Sequence, residues 1–212
     1  MAHQTCVAAT KNDIASTVER LWNAGITNIL ALRGDPPEGE ETFTPPENGY
    51  AHASDLIEWL RENTEMEVGA ACYPEGHVES AASGDDIRWT AHKVDVGASF
   101  LISQLFFDNE KYFDFVDRMR AEGVTVPIVP GIMPITNVSQ IERFTKMCGA
   151  TIPEELHERL SEVKDDPAIV MAAGIEHAIK QCRDLLDRGA PGLHFYTLNK
   201  SHATRSILAA LR

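Results

Sequence analysis

Apolar runs of strand length recur along this chain at intervals filled by helical patterns, and that alternation restricts the fold more than any other feature. The runs cover residues 3–8, 28–33, 67–73, 100–107, 127–133 and 192–198. In the first interval, 11–24, Ile14, Val18 and Leu21 recur at helical spacing and Gly25 follows as a stop signal. Residues 53–63, 85–96, 109–122 and 137–148 repeat the arrangement, with Gly97 and Gly123 behind two of these helices. The last interval is longer and holds two helices, 153–162 and 166–188, before the final strand, and 201–211 closes the chain as a helix. Strand followed by helix, repeated, predicts an α/β fold with a parallel sheet.

The run at 28–32 shows why chemistry is expected at strand ends. Ile29, Leu30, Ala31 and Leu32 are apolar without alternation, as in a strand buried on both faces of a parallel sheet. The run stops abruptly at Arg33, Gly34, Asp35 and two prolines. Binding and catalytic groups gather at the carboxyl ends of parallel strands, so a charged pair beside a glycine there suggests a site. Gly, Asp and Pro are also turn residues, and this segment by itself fits a capped turn equally well.

Barrel and open sheet remain to be separated. No GxGxxG follows any strand, which weakens a dinucleotide-binding open sheet. A complete (β/α)8 barrel has eight strands and typically about 250 residues; this chain has 212 residues. Six strands fit either an open sheet or a barrel that lacks two strands on its amino-terminal side. The long irregular insert 36–52 carries four prolines and several acidic residues and reads as a solvated loop, or as a lid over the site.

Charge and cysteine usage narrow the function classes. A formal net charge of −13, from 32 acidic against 19 basic residues, argues against nucleic acid or an acidic membrane as the main partner. An anionic ligand would need local positive groups. Cys6, Cys72, Cys148 and Cys182 are widely spaced without a CxxC pair and read as reduced core thiols. No apolar stretch approaches the ~20 residues of a membrane span, and MAHQTCVAAT lacks the pattern of a signal peptide, so a cytoplasmic protein is expected.

The polar residues at the expected strand ends form one set: His3, Thr5 and Cys6, then Arg33 and Asp35, then Tyr73, Glu75 and His77, then Gln104 and Asp108, and last Tyr196, Asn199 and Lys200. It mixes an acid, bases and amides without an obvious nucleophile. No HxH or HExxH spacing favours a metal, and no GxSxG elbow favours a hydrolase. A large, flat, anionic cofactor across the strand ends fits better: Tyr73 and His77 would flank rings, and arginine and lysines would meet phosphates.

Read in order, HQTC at 3–6, ALRGDPP at 31–37, HASDL at 52–56, YPEGHVES at 73–80, KVDVGASFLISQLFFD at 93–108, PGIMPITN at 130–137 and LHFYTLNK at 193–200 resemble the catalytic domain of the 5,10-methylenetetrahydrofolate reductase family. The resemblance covers essentially the whole chain. It implies a single FAD-binding domain over 1–212 with the (β/α)8 TIM-barrel fold, here as about six βα units corresponding to strands 3 to 8. It implies reduction of 5,10-methylenetetrahydrofolate to 5-methyltetrahydrofolate, feeding methionine synthesis, with NADH or NADPH as co-substrate and ping-pong hydride transfer through FAD.

Carried over by motif, FAD would be bound by His3, Arg33, Gly34, Asp35, Ala53, Tyr73, His77, Ser80, Asp86 and Lys93. Asp35 would also bond the folate pterin and disfavour the anionic reduced flavin, making it the catalytic residue. Gln104, Gln140, Phe144 and Lys200 match positions that bind folate or nicotinamide, Lys200 standing where some members have arginine. Trp89 and His92 differ from residues that line FAD in some members.

The general-acid glutamate of the family, on the first barrel strand, has no counterpart in 1–212, and Glu75 is not its equivalent. The first two βα units and the carboxyl-terminal regulatory domain are likewise expected to be absent. A sheet with two unpaired edges would favour a homo-oligomer. The competing expectation is a catalytically incompetent remnant that binds flavin or folate without turnover.

Overall fold

The computed structural model describes residues 1–37, 39–40, 42–78, 80 and 84–212. Glu38 and Glu41 of the 36–52 loop and Glu79 of the 73–80 motif therefore lie outside the described residues. Six strands alternate with eight helices among the described residues: β1 Ala2–Thr5, α1 Lys11–Asn23, β2 Asn28–Leu32, α2 Ala53–Asn63, β3 Glu67–Cys72, α3 Asp85–Asp95, β4 Phe100–Leu105, α4 Asn109–Ala121, β5 Ile128–Ile132, α5 Val138–Cys148, α6 Glu154–Glu162, α7 Pro167–Asp187, β6 His194–Phe195 and α8 His202–Ala210. The strands stand in the sheet in chain order. The alternation predicts the βα order and the parallel sheet, and the partial TIM-barrel-like fold is the one the family resemblance implies.

The chain divides into two compact units. The first comprises Met1–Cys72, Ile87–Leu101 and Val124–Pro127. Within it β1 pairs in parallel with β2, with His3 opposite Leu30 and Thr5 opposite Leu32. β2 pairs in parallel with β3, with Ala31 opposite Ala70. Ile29, Leu30 and Ala31 are all buried, as a strand covered on both faces requires. Its helices start where the sequence provides caps: Thr10 and Asp13 form a capping box on α1, and Asp55 accepts the Ala51 and His52 N–H groups at the head of α2.

The second unit comprises Tyr73–Asp86, Ile102–Gly123 and Ile128–Arg212. β5 pairs in parallel with β6, with Gly131 opposite His194. A core cluster gathers Leu105 at the end of β4, Phe107 just after it, Ile141 of α5, Leu160 of α6 and Val170 of α7. Asp108, Asn137 and Asp166 cap α4, α5 and α7 with their side chains, and Pro167 opens α7. Gln181, buried in α7, donates to the Phe106 carbonyl at 2.9 Å and satisfies a group the sheet leaves over.

The main departure from expectation is the last strand, predicted over 192–198 but only two residues long. Leu198 and Asn199 take positive φ values of 47° and 59°, which turns the chain before the apolar run is used up. Among the described residues no helix is long and apolar enough to cross a membrane.

The thiols are unpaired, and Cys6, Cys72 and Cys182 are buried. Burial pushes each of these three up to about 12, and it raises Cys148 as well. At pH 8 only the half-buried Cys148 should react readily with Ellman's reagent in the native protein, and all four thiols should react in denaturant. Fast native titration of three or four thiols would refute this burial pattern.

Gly174 in α7 supplies a second test. A Cβ there would lie 2.0 Å from the Ile135 carbonyl oxygen, so the helix passes this loop at a distance only glycine permits. Gly→Ala in a helix ordinarily gains about 1 kcal/mol. Here the obstacle is backbone, and overpacking costs about 1–3 kcal/mol. Gly174→Ala should therefore lower stability in urea unfolding, and a stabilised variant would show that α7 sits elsewhere.

Candidate functional site

In the first unit the candidate residues gather where β1 and β2 end. The Cys6 N–H reaches the Leu32 and Arg33 carbonyls, each at 3.0 Å, and the Val7 N–H reaches Arg33 at 3.1 Å. These bonds carry the β1–β2 pairing one step past the strands and fix where the chain leaves the sheet. Gly34 then takes φ +88°, and a Cβ on it would stand 2.8 Å from Val7 Cγ1. Both the left-handed backbone and the lack of space demand glycine. The turn reading of 33–35 therefore holds, and the turn presents the side chains on which the site reading rests.

Arg33 is half-buried and its Nε donates to the Gly34 carbonyl at 3.3 Å. Its guanidinium lies 5.2 Å from the ring centroid of Phe43, so the 36–52 insert folds an aromatic back onto this cation. Asp35 is exposed. His3 is exposed on β1, and Ala53 is the first residue of α2. Lys93 donates from Nζ to the Ala71 carbonyl at 2.9 Å, which draws its ammonium to the end of β3. Trp89 and His92 form a surface aromatic group with His52: Trp89 stacks on His52 at 6.4 Å and meets His92 edge-on at 6.0 Å.

The second unit holds two further groups. Tyr73 and His77 meet edge-to-face with ring centroids 4.6 Å apart. The Asp86 carboxylate accepts the His77 N–H at 3.0 Å, and the Ser80 N–H reaches the His77 carbonyl at 2.9 Å. These four predicted residues therefore form one local group in which Asp86, in the first turn of α3, holds the loop that carries the other three. Gln140, Phe144 and Lys200 line a shared pocket with Asn137, Tyr196 and Thr204. Asn137 caps the Gln140 N–H at 2.8 Å, and the Arg143 guanidinium lies 5.5 Å from the Phe144 ring centroid. Gln104 does not line this pocket; its Oε1 accepts the Leu105 N–H at 3.0 Å on its own strand.

Two features escaped sequence reasoning. Ser103 is fully buried, its hydroxyl accepts the Gly131 N–H at 2.8 Å, and its carbonyl accepts the Tyr196 hydroxyl at 2.8 Å. Thr204 brings a buried hydroxyl to the pocket with no hydrogen-bond partner among the described residues. It stands beside Ala203 on α8, and no motif or spacing in the sequence marks it.

The whole chain, residues 1–212, matches the family model for methylenetetrahydrofolate reductase. It is 39% identical over 214 residues to the probable methylenetetrahydrofolate reductase (NADPH) of Caenorhabditis elegans, covering 100% of this chain and 32% of that protein. It is 38% identical to methylenetetrahydrofolate reductase (NADH) 1 of Arabidopsis thaliana, covering 100% of this chain and 38% of the relative. It is 35% identical to 5,10-methylenetetrahydrofolate reductase of Escherichia coli, covering 99% of this chain and 69% of that protein. The chain thus spans about a third of the length of the eukaryotic relatives. Among solved structures it resembles a Clostridium thermocellum protein that binds two copies of 5-methyl-5,6,7,8-tetrahydrofolic acid, with TM-score 0.52 and 14% identity, covering 99% of this chain and 93% of the other.

The turn at 33–35 can be tested directly. Gly34→Ala forces a left-handed alanine into Val7 and should cost about 1–3 kcal/mol. The loss should appear in chemical unfolding, and Val7→Ala should recover part of it by opening the space. A Gly34→Ala protein as stable as wild type would show that this turn is not built as described.

Proposed function

Because the chain belongs to the methylenetetrahydrofolate reductase family, we propose that it carries out the FAD-dependent reduction of 5,10-methylenetetrahydrofolate to 5-methyltetrahydrofolate with NADH or NADPH. The observation that carries this reading is the Arg33–Gly34–Asp35 turn at the end of β2, set within a match that runs the full length of the chain.

The donor set suits the cofactor. FAD carries a pyrophosphate, and a chain of net charge −13 must meet it with local cations. In the first unit Arg33 and Lys93 would supply that charge, beside His3, Gly34, Asp35 and Ala53. Both cations are already held to backbone carbonyls, so little side-chain freedom is lost when an anion arrives. In the second unit Tyr73 and His77 would offer ring contacts, with Ser80 and Asp86 holding that loop. When bound, FAD supplies two-electron transfer between nicotinamide and folate.

The remaining roles fall to the chain's own side chains. Asp35, exposed at the turn, would accept hydrogen bonds from pterin N–H groups and oppose negative charge accumulating beside it. Gln140 and Phe144 would orient the flat substrate by hydrogen bond and ring contact from one wall of the pocket, and Gln104 would add a bond from β4. Lys200, exposed at the pocket rim, would meet carboxylates as a point charge.

The test begins with colour. Purified protein supplied with FAD should turn yellow, and its flavin absorbance should bleach anaerobically with NADH or NADPH. Added 5,10-methylenetetrahydrofolate should then restore the absorbance and yield 5-methyltetrahydrofolate. A protein that takes up no FAD sinks the proposal. Asp35→Asn should keep FAD and its bleaching but slow the folate half-reaction about 10- to 150-fold, the effect of losing a charge-assisted hydrogen bond worth about 1.5–3 kcal/mol.

A further inference from the structure

The loop after β3 is tied at its tip to a segment far along the chain. The Glu75 carboxylate accepts the Thr151 backbone N–H with both oxygens at 3.2 Å, and it also accepts the Thr151 hydroxyl. The two residues are 76 positions apart and join loops of the second unit. Next to them, Gly149 ends α5 at φ +73°, and a Cβ on it would approach Val78 Cγ1 to 3.1 Å. Loop 73–78 therefore rests on the α5–α6 junction through a charged clamp and a close apolar contact.

What the clamp holds is the Tyr73–His77 pair. Glu75 lies between these two residues, and the Gly76 N–H closes back onto the Tyr73 carbonyl at 3.1 Å. Asp86 fixes the His77 backbone from the other side. The carboxylate takes its bonds from a backbone N–H and a short hydroxyl side chain, so the junction that receives it loses little side-chain freedom. The same α5 that ends at this junction presents Gln140 and Phe144 to the pocket.

We propose that Glu75 is a positioning residue for cofactor binding: through Thr151 it anchors loop 73–78 to the α5–α6 junction and so holds the Tyr73–His77 rings in the arrangement that receives an aromatic ligand. This rests on the flavin reading above. In this role Glu75 acts through the two rings, by way of its bonds to Thr151.

The experiment uses the full chain and the variants Glu75→Ala, Glu75→Gln, Thr151→Val and Thr151→Ser. Amide hydrogen exchange over 73–78 and 149–152 is measured without added FAD, and FAD affinity is measured separately by titration. Glu75→Ala should exchange at least tenfold faster over 73–78 and bind FAD about tenfold more weakly, the weight of roughly one charge-assisted hydrogen bond. Glu75→Gln and Thr151→Val should fall between, Thr151→Ser should match wild type, and adding Thr151→Val to Glu75→Ala should change little more.

Unchanged exchange in Glu75→Ala overturns the anchoring. Faster exchange with unchanged FAD affinity overturns the positioning role and leaves a merely structural clamp. If Glu75→Ala does not fold, Thr151→Val on the exposed partner decides by the same two readouts. A wild-type chain that takes up no FAD overturns the flavin reading and with it the ligand role of the clamp, while the exchange data still decide the anchoring.

Discussion

The hydrogen bonds from Cys6 and Val7 to the carbonyls of Leu32 and Arg33 decide where β2 stops. Parallel strands expose their last carbonyls at one edge, and an unpaired buried carbonyl there would be costly. Here the neighbouring strand's continuation satisfies them. That leaves Val7 beside the outgoing chain, and only glycine clears it. Arg33 and Asp35 then lie on either side of a turn whose shape the ladder has dictated. The charged pair is thus presented by backbone pairing, which substitution of either charge leaves intact.

The cations of the first unit show how an acidic chain can offer positive charge. A free lysine on a surface is mobile, and an exposed ion pair contributes little. Lys93 is half-buried and bonded to Ala71 at the end of β3, while Arg33 is bonded to Gly34 and faced by Phe43. Both charges have defined positions. For an anionic ligand, defined position lowers the ordering cost of binding more than additional charge would. The exposed Trp89–His52–His92 group adds ring surface that is likewise held by mutual contact.

Much of this was legible because local pattern and global fold agree. The run Ile29–Leu32 reads as a buried strand and forms β2 with Ile29–Ala31 buried; the helices expected from 109, 137 and 166 form there, capped by Asp108, Asn137 and Asp166. The strand predicted at 192–198 failed where local pattern misleads: Tyr196 does extend the pairing, through its N–H to the Ile132 carbonyl at 2.8 Å, but Leu198 and Asn199 turn left-handed and end it. The contacts that most shape the candidate site were illegible for a different reason. Glu75 with Thr151, Ser103 with Gly131 and Tyr196, and Gly174 with Ile135 join residues tens of positions apart. No periodicity encodes such a pair. Motif resemblance named Gln140, Phe144 and Lys200, yet that α5 and the segment after β6 line one pocket is a property of the tertiary fold, which no local pattern encodes.

Phe144 shows why core and site cannot be cleanly separated in the second unit. It packs against the cluster that contains Ile141 and Leu160, and it also lines the pocket. Removing a large aromatic from such a position costs about 3–5 kcal/mol when it is fully buried, and a half-buried ring less, so a truncation would weaken the pocket wall along with any ring contact to a ligand. Thr204, which lines the same pocket, has the reverse character. Its hydroxyl is buried without a partner, a condition that costs about 1–3 kcal/mol and that a polar atom entering the pocket relieves. The lining therefore combines a ring shared with the core and a buried, unsatisfied hydroxyl. That combination favours a ligand with both an apolar surface and a hydrogen-bonding group over one that is uniformly apolar.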